Sequence, residues 1–202
     1  MILQAKNINC CRGYRTLFTN VNFSLEPGRV LIVEGRNGSG KSTLLKVISG
    51  LRQPDSGQIL WNRQTLEANS SDYKEQLVWL SHRNGTNDSL TAKENIQHSL
   101  ALTNSADIKI HDYLERVGLK GYANTPVREF SAGMKRRLAI TRLLTKQAKL
   151  WILDEPQSAL DKAGISLSDE LITKHVASGG MVVMASHHDV TFGSTPTEYL
   201  KL

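Results

Sequence analysis

The sequence predicts an α/β protein built on a mainly parallel, doubly wound sheet, and three observations predict it. "VLIVE" (Val30 to Glu34), "LWILD" (Leu150 to Asp154) and "MVVMA" (Met181 to Ala185) are strand-sized and almost wholly apolar, as in strands buried on both faces of a parallel sheet. Helical stretches separate them, and alternation of strand with helix is the mark of such sheets. A glycine-rich turn carries the first of these strands straight into a helix.

Taken in order, Val21, Phe23 and Leu25 alternate with Asn22 and Ser24, a half-buried strand that ends at the turn Pro27-Gly28. "VLIVE" follows, then the glycine-rich loop, then an apolar helix, "STLLKVIS", stopped by Gly50. "GQILW" (Gly57 to Trp61) and "LVWLS" (Leu77 to Ser81) are further short strands. Between about residues 87 and 146 the texture turns helical, which predicts a helical subdomain inserted on the sheet. Its "LTAKENI" carries a capping box from Thr91 to Glu94. A helix from about Lys162 to Ala177 joins the last two apolar strands. No repeat, low-complexity segment or long linker divides the chain, so residues 1–202 are expected to form a single domain.

A chain of 202 residues can bury one sizeable core. With 40% hydrophobic and 22% charged residues it has the composition of a soluble globular protein. The net charge of +6 is mild and scattered, and no basic block or aromatic-interleaved patch predicts nucleic-acid binding. Cys10 and Cys11 are adjacent, a poor arrangement for a structural disulfide. Neither zinc spacing nor a haem-attachment motif is present, so direct haem binding is not expected. No signal peptide is expected at the N-terminus, and no apolar run is long enough to span a bilayer.

The chemistry begins at "GRNGSGKS", Gly35 to Ser42, which fits G-x-x-x-x-G-K-[ST] between a buried strand and a helix. Its glycines let successive N–H groups of Gly35, Arg36, Asn37, Gly38, Ser39 and Gly40 curl around a β-phosphate. Lys41 can reach the β- and γ-phosphates, the Ser42 hydroxyl suits Mg²⁺, and the helix N-terminus, which continues through Thr43, adds its dipole. "LWILDEP" delivers Asp154 to a strand's C-terminal end, where it would hold Mg²⁺ mostly through water. Glu155 is placed to accept a proton from a water attacking the γ-phosphate. "EFSAGMKRR", by itself, reads as a helix start: Ser131 is a good N-cap, and Lys135, Arg136 and Arg137 look like a solvated basic turn.

The order of these pieces resembles the ATP-binding cassette (ABC) ATPases: P-loop, "FSAGM" (Phe130 to Met134), "LWILDEP", "SALD" (Ser158 to Asp161) and "ASH" ending at His187. The resemblance covers essentially the whole chain. It implies a P-loop NTPase of the ABC type, with an N-terminal antiparallel β-subdomain and a helical insert. It implies ATP as substrate, Mg²⁺ as cofactor, and catalysis by Lys41, Glu155 and His187. It also implies a homodimer in which Ser131, Ala132, Gly133 and Met134 of one chain cap the ATP of the other. A histidine at position 187 that is merely partly buried is the competing reading, and His188 is expected to face solvent.

Three positions depart from that family's pattern. Arg12 stands before Gly13 where the family places an aromatic residue, with Tyr14 two positions on; a guanidinium plane or a tyrosine ring would cover the base. His82 replaces a glutamine after the "LVWLS" strand, as a ligand to water near the metal or as a structural residue. In the signature, Ala132 replaces a glycine and Met134 a glutamine.

Among ABC ATPases, the compact length, "WLSH", "LTAKENI", "SAG" and "LWILDEPQSALD" resemble the ATP-binding subunits of bacterial cytochrome c maturation systems. That implies a peripheral subunit on the cytoplasmic face of the inner membrane, working with integral membrane subunits to release a haem-loaded periplasmic chaperone. The alternatives are the ATPase of another small-substrate or lipid transporter, and a non-transport ABC ATPase.

Overall fold

The computed structural model describes residues 1–66, 70–101, 110–186 and 192–202. Its elements are β1 (Leu3–Arg12), β2 (Arg15–Leu25), β3 (Arg29–Glu34), α1 (Lys41–Ile48), β4 (Ser56–Trp61), β5 (Gln64–Thr65), α2 (Ser70–Glu75) and β6 (Leu77–Leu80). They continue with α3 (Ala92–Ala101), α4 (Ile110–Arg116), α5 (Ala132–Thr145), β7 (Leu150–Asp154), α6 (Lys162–Ala177), β8 (Met181–Ala185) and β9 (Thr197–Lys201). The chain forms two compact units, one of residues 1–79, 148–155 and 172–202, the other of residues 80–147 and 156–171.

In the first unit the core sheet runs β6-β7-β8-β3-β9, with β3 parallel to β8 and β9, and β7 parallel to β8. β7 and β8 are buried along their whole length, which is why their sequences lack alternation. β9 was not foreseen. "TEYLK" is polar and half exposed, as suits the edge of a sheet.

The second sheet, β2-β1-β4-β5, is antiparallel. β1 buries Leu3, Ala5, Ile8 and Cys10, so its inward positions change from odd to even at a register shift between Ala5 and Ile8. Asparagines serve the bulged segments: the Asn7 N–H donates to Asn22 Oδ1 at 2.9 Å and the Asn20 N–H to Asn9 Oδ1 at 2.8 Å. α1 places Leu44, Leu45 and Ile48 in one core with Leu3 and Leu25 of the antiparallel sheet and Leu31, Ile152 and Val183 of the parallel one. Beneath β7, Trp151 stacks on His175 of α6, with ring centroids 3.9 Å apart and planes 4° from parallel. Burial holds the His175 pKa down to about 4, so the ring sits neutral at pH 7.

The second unit packs α3 and α4 against α5 around Ile96, Leu114, Val117, Leu138 and Ile140. The α3 capping box forms in both directions. The Thr91 N–H donates to Glu94 Oε2 at 2.7 Å, and the Glu94 N–H to Thr91 Oγ1 at 3.2 Å. Among the described residues, no helix is long and apolar enough to cross a membrane.

Candidate active site

The site grows from the turn between β3 and α1. Gly35 has φ +151°, and a Cβ there would lie 2.9 Å from the Leu202 carbonyl oxygen; Gly40 has φ +109°, and a Cβ there would lie 2.8 Å from the Phe18 ring. Both positions therefore admit only glycine, and β2 and the segment after β9 form the walls that make them so. The loop they shape leaves Arg36, Asn37 and Gly38 exposed and Thr43 half-buried. Within it, the Ser39 hydroxyl is buried with no hydrogen-bond partner. An orphaned hydroxyl in a curl of backbone amides is a feature that a bound phosphate would satisfy.

Lys41 opens α1 with only 6% of its surface exposed, and its Nζ donates to the Gly35 carbonyl at 2.7 Å and the Arg36 carbonyl at 3.2 Å. Burial draws its pKa below the ordinary value, and the nearby Glu155 and Asp154 carboxylates oppose that shift. One residue on, the Ser42 hydroxyl donates to Asp154 Oδ1 at 3.1 Å. A hydroxyl beside a buried carboxylate is a hard-oxygen pair of the kind magnesium takes. Glu155 follows at φ +51°, held there in part by its N–H donating to the Ala185 carbonyl at 3.1 Å. Lysine, serine and both acids are thus gathered in one unit at the carboxyl ends of β3 and β7.

These geometric findings agree with three comparisons. The family model for ABC transporters matches residues 18–158. The chain belongs to the ABC transporter family. Across its whole length this ABC chain is 40% identical to the "Cytochrome c biogenesis ATP-binding export protein CcmA" of Nitrosomonas europaea, covering 95% of that relative. It is 43% identical over 92% of its length to the protein of the same name from Methylococcus capsulatus, covering 91% of that one. The fold matches a putative ABC transporter ATP-binding protein from Pyrococcus furiosus with a TM-score of 0.84 at 22% identity, covering 99% of this chain and 98% of that one. It also matches an ATP-binding cassette solved as a dimer in a post-hydrolysis state with ADP and Pi, with a TM-score of 0.82 at 23% identity, covering 98% and 94%.

The other predicted positions of this ABC chain are distributed as follows. Arg12 and Tyr14 sit at the β1–β2 hairpin, both exposed, with Gly13 at φ +61° making the turn. His82 is exposed in the segment after β6. His187 and His188 lie outside the described residues. Ser131 caps α5 with extended backbone, its Oγ accepting from the Met134 N–H at 3.2 Å; Ser131 and Ala132 are exposed, Met134 half-buried.

The basic turn expected after Met134 is corrected by the structure. Arg136 is 1% exposed, Lys135 pairs with Asp88 at 2.6 Å, and Arg137 reaches Asp161 at 2.5 Å and the Val117 carbonyl at 3.0 Å. One signal was present in the sequence: Arg136 shares a helical stripe with Ala139, Ile140 and Leu143, all buried.

Gly133 has its own partner. A Cβ there would lie 2.8 Å from the carbonyl oxygen of Ala159, itself at φ +60° in "SALD". Ala132 faces solvent, so the signature tolerates a methyl at one position and excludes it at the next. Gly133→Ala should lower stability by about 1–3 kcal/mol through overpacking against backbone, even though alanine improves helix propensity by about 1 kcal/mol. Thermal unfolding of the two chains checks this, and an unchanged or raised Tm would show that the Ala159 carbonyl yields.

Proposed function

We propose that this ABC ATPase is the ATP-hydrolysing subunit of a cytochrome c biogenesis transporter, coupling hydrolysis to release of a haem-loaded periplasmic chaperone. The observation that carries the reading is the Ser42–Asp154 pair beside buried Lys41, in a chain 40% identical end to end to a relative named for that export. Two copies would pair, with integral membrane subunits, as a peripheral complex on the cytoplasmic face of the inner membrane.

In that reading Lys41 leaves the Gly35 and Arg36 carbonyls for the β- and γ-phosphate oxygens, while the loop amides hold the β-phosphate. Ser42 and Asp154 would hold Mg²⁺, which when bound would supply positive charge against the phosphate oxygens. Glu155 takes the proton from the attacking water, and His187 bonds the γ-phosphate. His82 would accept from a water near the metal, and Arg12 or Tyr14 would cover the adenine. Ser131, with the N–H groups at the start of α5, closes the site from the second copy.

A cell whose only copy carries Lys41→Ala should lose mature c-type cytochromes and accumulate the haem-loaded chaperone, with membrane subunits still recovered with the tagged chain. Normal cytochromes in that strain would end the cytochrome reading. A transport defect for another compound would replace it.

A further inference from the structure

Arg136 is the most deeply buried cation of α5, and its bonds include ones to two separate stretches of chain. Its Nε donates to the Pro156 carbonyl at 3.0 Å. Its Nη1 donates to the Ser81 carbonyl at 2.8 Å and to Asn84 Oδ1 at 3.1 Å. Pro156 is joined by one peptide bond to Glu155, which itself holds a left-handed φ of +51°. Residues 81–88 are gripped at two further points of the same helix: Lys135 on Asp88, and Arg142 on the Gly85 carbonyl. A guanidinium in the interior carries a large desolvation cost, which hydrogen bonds in fixed directions offset. A planar fork suits that task because its donors point along set lines from separate nitrogens, whereas an ammonium on a flexible stem is a single point charge with no fixed directions.

We propose that Arg136 is a positioning residue: a rigid strut that ties residues 81–84 to the peptide following Glu155, so that displacement of one is felt by the other. Its contribution to hydrolysis rests on the assignment of Glu155 made above. The tie itself rests on geometry alone.

Two variants test it. Arg136→Lys keeps the charge and length and loses the fork, while Asn84→Ala removes one partner on the far side and touches nothing at Pro156. Hydrogen exchange of the full chain should show amides 157–161 exchanging about tenfold faster in both variants, together with those of 81–88. In the assembled complex, Arg136→Lys should lower kcat about tenfold with KM and nucleotide affinity little changed, because a misplaced base costs turnover rather than binding. Opening of 81–88 in Asn84→Ala with amides 157–161 unchanged would overturn the strut, as would wild-type kcat in a well-folded Arg136→Lys. Coupled exchange in a wild-type complex that hydrolyses no ATP would uphold the tie and remove the functional reading instead. Should Arg136→Lys fail to fold, Asn84→Ala alone decides the matter through its exchange pattern.

Discussion

Glu155→Gln should bind ATP as the unaltered chain does and hydrolyse it about 10²–10⁴-fold more slowly, the range that a positioned general base contributes. Glutamine matches glutamate in shape, so the left-handed backbone at position 155 and its N–H bond to the Ala185 carbonyl have no reason to change. Only the capacity to accept a proton disappears. Asp154→Ala should behave differently. That carboxylate is 3% exposed and accepts from Ser42, so on the proposed assignment its loss should weaken Mg²⁺-dependent binding as well as turnover. Lys41→Ala should impair binding first, because Lys41 is the cation folded into the loop itself. Steady-state hydrolysis beside a direct binding titration, in the assembled complex, separates the three. Hydrolysis by Glu155→Gln within a few-fold of the unaltered rate would move the base to another residue.

How much of this was legible in the sequence follows from where each residue's constraint originates. β3, β7 and β8 show plainly because burial on both faces leaves an unbroken apolar run. Gly35, Gly40, Lys41 and Ser42 show because a phosphate-binding turn needs glycine and lysine at set spacing. β1 did not show: its inward residues change parity at a bulge, so Leu3 and Ala5 are out of phase with Ile8 and Cys10. β9 did not show either, since an edge strand of polar residues leaves no periodic trace. Arg136 was misread for a different reason. A cation beside two other cations suggests solvent, and only its helical phase with Ile140 and Leu143 places it inside. The left-handed backbone at Glu155 and Ala159 is a product of long-range packing, and nothing local announces it.

A mixed dimer should recover activity that neither of its parent homodimers has. If α5 of one copy closes the ATP site of the other, each dimer holds two composite sites, each joining Lys41 of one chain to Ser131 of its partner. Lys41→Ala homodimers carry a lesion in both sites, and so do Ser131→Arg homodimers, where a long cation blocks the helix start. Each should lose on the order of 10²-fold in hydrolysis, as when one preorganised contact to a developing charge is removed. Pairing the two variants concentrates both lesions in one site and leaves the other with an intact loop and an intact helix start. Dimers carrying a different tag on each chain, purified through both tags, should therefore bind ATP at one site per dimer and close around it. The competing account is that Ser131 only caps α5, accepting from the Met134 N–H as it does here. Loss of a cap costs about 1 kcal/mol of stability, so Ser131→Ala would then shift Tm by a few degrees and leave ATP-driven dimerisation untouched. Ser131 and Ala132 are exposed at the start of a helix whose next three residues are half-buried, a placement that leaves that start open to a partner. Size-exclusion chromatography of Ser131→Arg with ATP, alongside its melting curve, discriminates the accounts. A chain that melts normally and still dimerises around ATP would leave Ser131 a helix cap and nothing more.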